Sequence, residues 1–237
     1  MAALFTVEGV LDALDAAATA WVRDKLSEHA VEIKNTTGAT RDSFRRVAEM
    51  TVEAEPVTID LRDNLTTASS TTDGDSLPKF KKHLFADSGG SFPALLNDWE
   101  TEVIETEIAR DSTVAWYRNP SRATPAALRI AYAKDDGRWT SLQPDFIIIS
   151  RRDDGSLAAS IVDPHGDHLA DARNKLNALA DYAELYGENF VRIESITKSD
   201  DELRYLDLVD EAAREVVRGF EGAEVNGLYT SPSSQPY

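Results

Sequence analysis

The sequence predicts an α/β (or α+β) fold: a mixed central sheet flanked by helices and preceded by a helical N-terminal segment. Three observations predict it. From residue 92 onward the apolar periodicity runs helix, four strands, helix, strand, helix, an order that builds a mixed sheet rather than a sandwich. Within it, Phe146-Ile147-Ile148-Ile149 is a continuous apolar run, the pattern of a strand covered on both faces. The 237 residues are 42% apolar and 28% charged, a globular composition with chain enough for one sizeable core and a smaller second unit.

The elements follow in order. Val7, Val10, Leu11, Leu14, Ala18, Trp21, Val22 and Leu26 fall at three- and four-residue steps, which predicts a long amphipathic helix with Thr6 as its cap. A second helix is expected over 41–53 and a short strand over Pro56–Leu61. Residues 62–77 are polar, rich in Ser and Thr, and read as a flexible linker. Phe92, Leu95, Leu96, Trp99 and Val103 then predict a helix capped by Ser91. Strands are expected over 113–118, 128–133, 139–150 and 157–163, with Asp-Asp-Gly turns at 135–137 and 153–155. A helix opens at His168 or Leu169, a strand follows over 190–196, and Leu203 to Val217 predicts a closing helix. The organisation read from these signals is a helical segment 1–61, a linker 62–77, a main domain 78–220 and a C-terminal tail 221–237, of which Thr230–Pro236 is expected to fray.

Charge and cysteine content exclude several classes. No apolar run is long enough to span a membrane, so no membrane partner is expected. Met1–Glu8 lacks the basic start of a secretory signal, and the chain has no cysteine. Disulfides, thiolate zinc sites and a cysteine nucleophile are therefore out, and a cytoplasmic setting is expected. The net charge of −17 repels nucleic acid at long range, but residues 79–138 carry nine positive and nine negative charges. That neutral segment, with Lys79, Lys81, Lys82, Arg118, Arg122, Arg129 and Arg138, is where a polyanion is expected to meet the protein.

One constellation carries chemistry. Pro144-Asp145 stands where the chain enters the apolar strand, and the returning strand ends in Val162-Asp163-Pro164-His165. Counting through the Asp-Asp-Gly turn, hairpin pairing brings Asp145 and Asp163 to the same end. Two carboxylates there repel each other and call for a cation; hard oxygen ligands suit Mg²⁺, with Mn²⁺ as a substitute. Glu100, on the rim of the preceding helix, is expected to lean toward the same end. Four titratable groups fall within Asp163–His168, although His168 is equally explained by a helix start, and Asn119 by a turn before Pro120.

This pattern resembles the PD-(D/E)xK nuclease core: a helical Glu, Pro-Asp, a hairpin, then acid-x-Lys. Trp99-Glu100, Arg118-Asn119-Pro120, Ile130-Ala-Tyr132, Gly137-Arg-Trp139, Pro144-Asp-Phe-Ile147 and Val162-Asp163 are similar to the nuclease end of type III restriction subunits and related DEAD/DEAH-box helicases. The resemblance covers residues 78 to 220. It implies a restriction-endonuclease-like sheet and a metal-dependent DNA endonuclease, of a restriction, defence or helicase-linked system. Asp145 and Asp163 would ligate the metal, and Glu100 would be a further ligand or would orient a metal-bound water. At 165 the family's lysine is a histidine, which acts as cation, base or ligand according to its protonation. No G-x-x-x-x-G-K-[ST] loop occurs, so a helicase or translocase motor would be a separate partner. The alternative is a catalytically degenerate nuclease fold that binds DNA or docks a helicase partner. An acidic protein-interaction module is a third reading, suited to the net charge.

Overall fold

In a computed structural model, the protein is described over residues 10–38, 40–41, 44, 76–121, 127–134, 139–165, 172–199, 201–221 and 225–237. The strand expected over Pro56–Leu61, most of the helix expected over 41–53, nearly all of the 62–77 linker, and His168 lie outside those residues. The chain divides into two compact units, Met1–Val57 with Ala131–Ser141, and Thr58–Ile130 with Leu142–Tyr237. No helix among the described residues is long and apolar enough to cross a membrane.

In the first unit, α1 (Val10–Glu28) and α2 (Ala30–Lys34) follow one another. The apolar spacing makes α1 a helix, yet Leu14 and Trp21 are exposed.

The second unit begins with a short hairpin, β1 (Lys79–Lys81) and β2 (Ser91–Pro93), paired antiparallel. Helix α3 (Asp98–Ala109) comes next, then β3 (Thr113–Arg118). The chain then passes through Ala131–Ser141 of the first unit, where two short strands, β4 (Ile130–Ala133) and β5 (Trp139–Leu142), form a sheet of their own. The hairpin β6 (Phe146–Arg151) and β7 (Leu157–Pro164) is followed by α4 (Ala172–Tyr186) and β8 (Phe190–Ser199). The chain closes with β9 (Glu202–Asp207), α5 (Glu211–Arg218), α6 (Asn226–Tyr229) and β10 (Gln235–Pro236).

The main sheet has six strands in the order β10-β9-β8-β7-β6-β3. All neighbours are antiparallel except β7 and β8, which run parallel. A parallel pair needs a long crossover, and α4 supplies it. One face packs against α3: Val103, Ile104, Trp116, Phe146, Ile148, Val162, Ile196 and Leu203 form a continuous buried cluster. Strand alternation turns Ile161 and Ile193 to the other face, and both are fully buried, as are Leu176 and Leu179 of α4. Beside the α3 cluster, His83 stacks on Phe92 with ring centroids 3.6 Å apart and accepts the Phe85 N–H on Nδ1. Burial holds the pKa of His83 down at about 4, so it is a neutral core histidine.

Three sequence expectations need correction. The helix read from Phe92 starts at Asp98, because Asn97 caps it: its side chain accepts the Glu100 N–H while the Glu100 carboxylate accepts the Asn97 N–H. Ser91, expected as the cap, lies in β2. The helix read across Leu203–Val217 is a strand followed by a shorter helix. Asp201 sits at φ 64, a left-handed conformation that Asp tolerates, so the chain turns there and pairs Ser199 with Glu202. The tail expected to fray is instead folded. Tyr229 is fully buried, and Gln235 and Pro236 pair with Tyr205 and Arg204.

Candidate functional site

The hairpin register brings Asp145 and Asp163 together. Phe146 pairs with Val162, which leaves Asp145 and Asp163 next to each other at the open end of β6 and β7. The backbone N–H of Asp145 donates to Oδ1 of Asp163 at 2.9 Å. Asn119 holds the entry from behind. Its side-chain amide donates to the carbonyls of Pro144 at 2.8 Å and Leu128 at 3.0 Å, and its Oδ1 accepts the Leu128 N–H. Its own N–H donates to the Asp145 carbonyl at 2.9 Å. Asn119 is therefore a buried bracket for Asp145, a larger role than closing a turn.

His165 follows on the same strand exit. Its N–H donates to the Ile196 carbonyl, and Thr197 Oγ1 donates back to the His165 carbonyl, so β8 fixes its backbone. Its Nδ1 lies 3.2 Å from the Asp163 carbonyl and 3.6 Å from Asp163 Oδ2. Behind the ring, Ser195 Oγ is 3.4 Å from Nδ1 and 2.6 Å from the Tyr229 hydroxyl. Asp145, Asp163 and His165 line one cleft of about 150 Å³, together with Leu142, Gln143, Lys175, Leu176 and Leu179.

Lys175 is the residue that the sequence did not disclose. It stands in the first turn of α4, four positions before Leu179 and on the same helix face. Only the crossover packing brings that face to the aspartates. A lysine one position before Leu176 in a crossover helix is a weak signal, and nothing in the sequence ties it to Asp163.

Glu100 does not line the cleft. Arg118 grips it bidentately, Nη2 to Oε1 at 2.6 Å and Nη1 to Oε2 at 2.9 Å. The Glu100 side chain is 8% exposed and that of Arg118 36%. Among the described residues, no group of three or more His, Cys, Asp or Glu side chains is gathered to hold a metal. The centre is instead a pair of aspartates beside an arginine-bound glutamate.

The electrostatics report crowded negative charge. Burial, the Asp163 charge and the Glu100 charge push the Asp145 carboxyl up to about 7, with Arg118 and His165 opposing. Burial alone disfavours a charged His165, but the hydrogen bond and charge of Asp163 outweigh it and raise its pKa above the ordinary histidine value. The chemistry of the pair suits a divalent cation: two carboxylates meet at adjacent strand ends, and such an ion would offset their mutual repulsion.

Fold and site together define a mixed α/β protein with a twin-aspartate cleft at the open end of a central hairpin. The chain belongs to the YagJ family, which residues 81–237 match. It is 34% identical over 240 residues to the protein YagJ of Escherichia coli (strain K12), a similarity that spans all of this chain and 97% of that protein. No solved structure matches it.

Proposed function

We propose that this protein is a metal-dependent endonuclease that hydrolyses DNA phosphodiester bonds at the Asp145–Asp163 cleft. The observation that carries the reading is the hydrogen-bonded pairing of the two aspartates at the end of the β6–β7 hairpin, with a carboxyl raised to about 7. The element order supports it: α3 with Glu100, then β3, the hairpin with both aspartates, and a crossover helix to a parallel strand. The PD-(D/E)xK resemblance names part of that order: a helical Glu, Pro-Asp, then a hairpin ending in the second acid.

Asp145 and Asp163 would hold Mg²⁺, or Mn²⁺ in its place. The bound ion supplies an activated water and neutralises charge on the scissile phosphate. Asp163 is fixed through Oδ1 by the Asp145 N–H, which keeps both carboxylates in register without a flexible loop. Lys175 stands where a phosphate oxygen can be met by positive charge, the part that the resemblance assigns to position 165. His165, whose charged form the neighbouring Asp163 favours, would add a second positive group. Leu142, Leu176 and Leu179 wall the cleft and limit water, which strengthens each of these interactions.

A plasmid-nicking assay tests this reading. Wild type nicks DNA with Mg²⁺ or Mn²⁺ and stops with EDTA, whereas Asp145→Asn and Asp163→Asn are inactive. Equal nicking by wild type and Asp145→Asn overturns it. The second reading is a degenerate fold that only binds DNA or docks a helicase partner. The Arg118 grip on Glu100 and the histidine at 165 favour it. Retention of DNA at low salt with no nicking by any variant is its signature.

A further inference from the structure

Behind the cleft lies a pair of hydroxyls to which the metal reading gives no task. Ser195 on β8 and Tyr229 on α6 are both fully buried, and their oxygens lie 2.6 Å apart. Burial raises the Tyr229 pKa, so its hydroxyl keeps its proton. One buried hydrogen bond between hydroxyls does little more than offset their desolvation, and an apolar pair of the same shape would serve the core as well. The other contact of the pair is with the site. Ser195 Oγ is 3.4 Å from Nδ1 of His165 and 3.5 Å from Nε2. Near-equal reach to both ring nitrogens at that distance places the oxygen over the face of the imidazole, not in the plane of either nitrogen. The edge of the ring is set separately, with Nδ1 3.2 Å from the Asp163 carbonyl and 3.6 Å from Asp163 Oδ2. Tyr229 is itself firmly seated: Arg204 on β9 donates to its carbonyl at 2.6 Å and to the Ser234 carbonyl at 2.8 Å. Thr197 Oγ1, which donates to the His165 carbonyl, lies 3.5 Å from Asn226 Oδ1 on the same short helix. The segment 225–237 therefore reaches His165 by two routes, one to its ring and one to its backbone.

We propose that Ser195 and Tyr229 are positioning residues: they fix the plane of the His165 ring, so that Nε2 is the nitrogen presented to the scissile phosphodiester. The inference rests on the endonuclease reading above and adds to it the atom that meets the substrate and the residues that aim it. Nδ1 is turned to Asp163 and one face of the ring to Ser195, which leaves Nε2 for the cleft that His165 lines. The χ2 torsion of a histidine has two broad orientations, and a half-turn about it exchanges Nε2 for a carbon. A serine against the face and an aspartate at the edge select one of the two. Tyr229 acts through Ser195, holding its oxygen from the side away from the ring. Such preorganisation matters because a small displacement of a group that meets the reacting atoms forfeits much of its effect.

The test is the rate of plasmid nicking with Mn²⁺, read as kcat and KM, for wild type, Tyr229→Phe and Ser195→Ala. Tyr229→Phe removes one oxygen and keeps the buried ring; Ser195→Ala serves if that variant does not fold. Each is expected to lower kcat by about tenfold or more, the order for a group left slightly out of place, with KM unchanged. In a His165→Lys background, which has no ring to hold, neither should lower kcat further, whereas a merely structural role predicts the same loss in both backgrounds. A crystal structure of Ser195→Ala reads the ring independently of activity and should show His165 in more than one χ2 orientation. Wild-type kcat in both variants, or an equal loss in the His165→Lys background, overturns the positioning role and leaves the endonuclease reading standing. A His165 ring unmoved in Ser195→Ala overturns it as well. A wild type that nicks no DNA overturns both.

Discussion

The main chain of Asp145 anchors the side chain of Asp163: the N–H of the first donates to Oδ1 of the second at 2.9 Å. The two strands of the hairpin are thus joined at the site by a bond that the sheet ladder does not make. The same geometry forces two carboxylates into one partly buried space, and that conflict has consequences for stability as well as for binding.

Asp145 is a stability cost at neutral pH. Its pKa is raised from 3.8 to about 7, so the folded state holds a proton that the unfolded chain releases between those values. Stability falls as pH rises through that window. Asp145→Asn should therefore unfold with wild-type stability near pH 4 and gain about 2 kcal/mol at pH 8, after solvent screening of a partly exposed group. The urea midpoint at the two pH values checks it. Under the proposed metal role the same variant should lose Mn²⁺ binding, so stability and function would move in opposite directions.

A second buried cluster is structural. Arg192 bridges Glu107 and Glu194, donating to each at 2.6 Å, and the Tyr237 hydroxyl donates to Glu107 from the other side. Glu107 is fully buried, and burial pushes Glu194 up to about 7 with Arg192 opposing. Arg192→Ala leaves Glu194 without its cation, while Glu107 keeps Arg110 at 3.1 Å, and should cost about 3 kcal/mol. The loss should shrink at pH 5, where Glu194 binds a proton. Denaturation at pH 8 and pH 5 measures the difference.

Ser160 is fully buried on β7, and its hydroxyl has no hydrogen-bond partner among the described residues. An unmade buried bond carries a desolvation penalty, so Ser160→Ala should be neutral or stabilising by up to about 1 kcal/mol. A lower urea midpoint in the alanine variant contradicts this.

Lys175 and His165 both line the cleft, and under the proposed function they would supply its positive charge. Lys175→Ala should reduce the turnover of DNA nicking by about 10²–10³-fold, the scale for loss of one electrostatic stabiliser, while Mn²⁺ affinity changes little. His165→Lys should keep most of the activity, because Asp163 already favours the charged form of His165. Equal rates in wild type, Lys175→Ala and His165→Ala would remove both residues from the site.

What the sequence disclosed and what it hid follow from the range of each interaction. The Asp145–Asp163 meeting was legible because a hairpin with a short turn fixes register by counting. The apolar run Phe146–Ile149 located the central strand for the same reason. The start of α3 was misplaced because apolar spacing extends upstream, while the Asn97–Glu100 cap that ends the ambiguity is made of polar residues. The strand at Glu202–Asp207 was hidden behind leucines whose spacing also suits a helix, and the turn at Asp201 decided it. Lys175 and the Arg118–Glu100 fork were not legible. Each depends on how a helix packs on the sheet, which no local pattern encodes.

The central claim is that Asp145 and Asp163 hold a divalent cation between them. The most direct test is a crystal structure of the protein soaked in Mn²⁺, with diffraction collected at the manganese absorption edge. The account predicts an anomalous peak bridging the Asp145 and Asp163 carboxylates, lost in Asp163→Asn. A protein that takes up Mn²⁺ elsewhere, with no peak between the two aspartates, contradicts it.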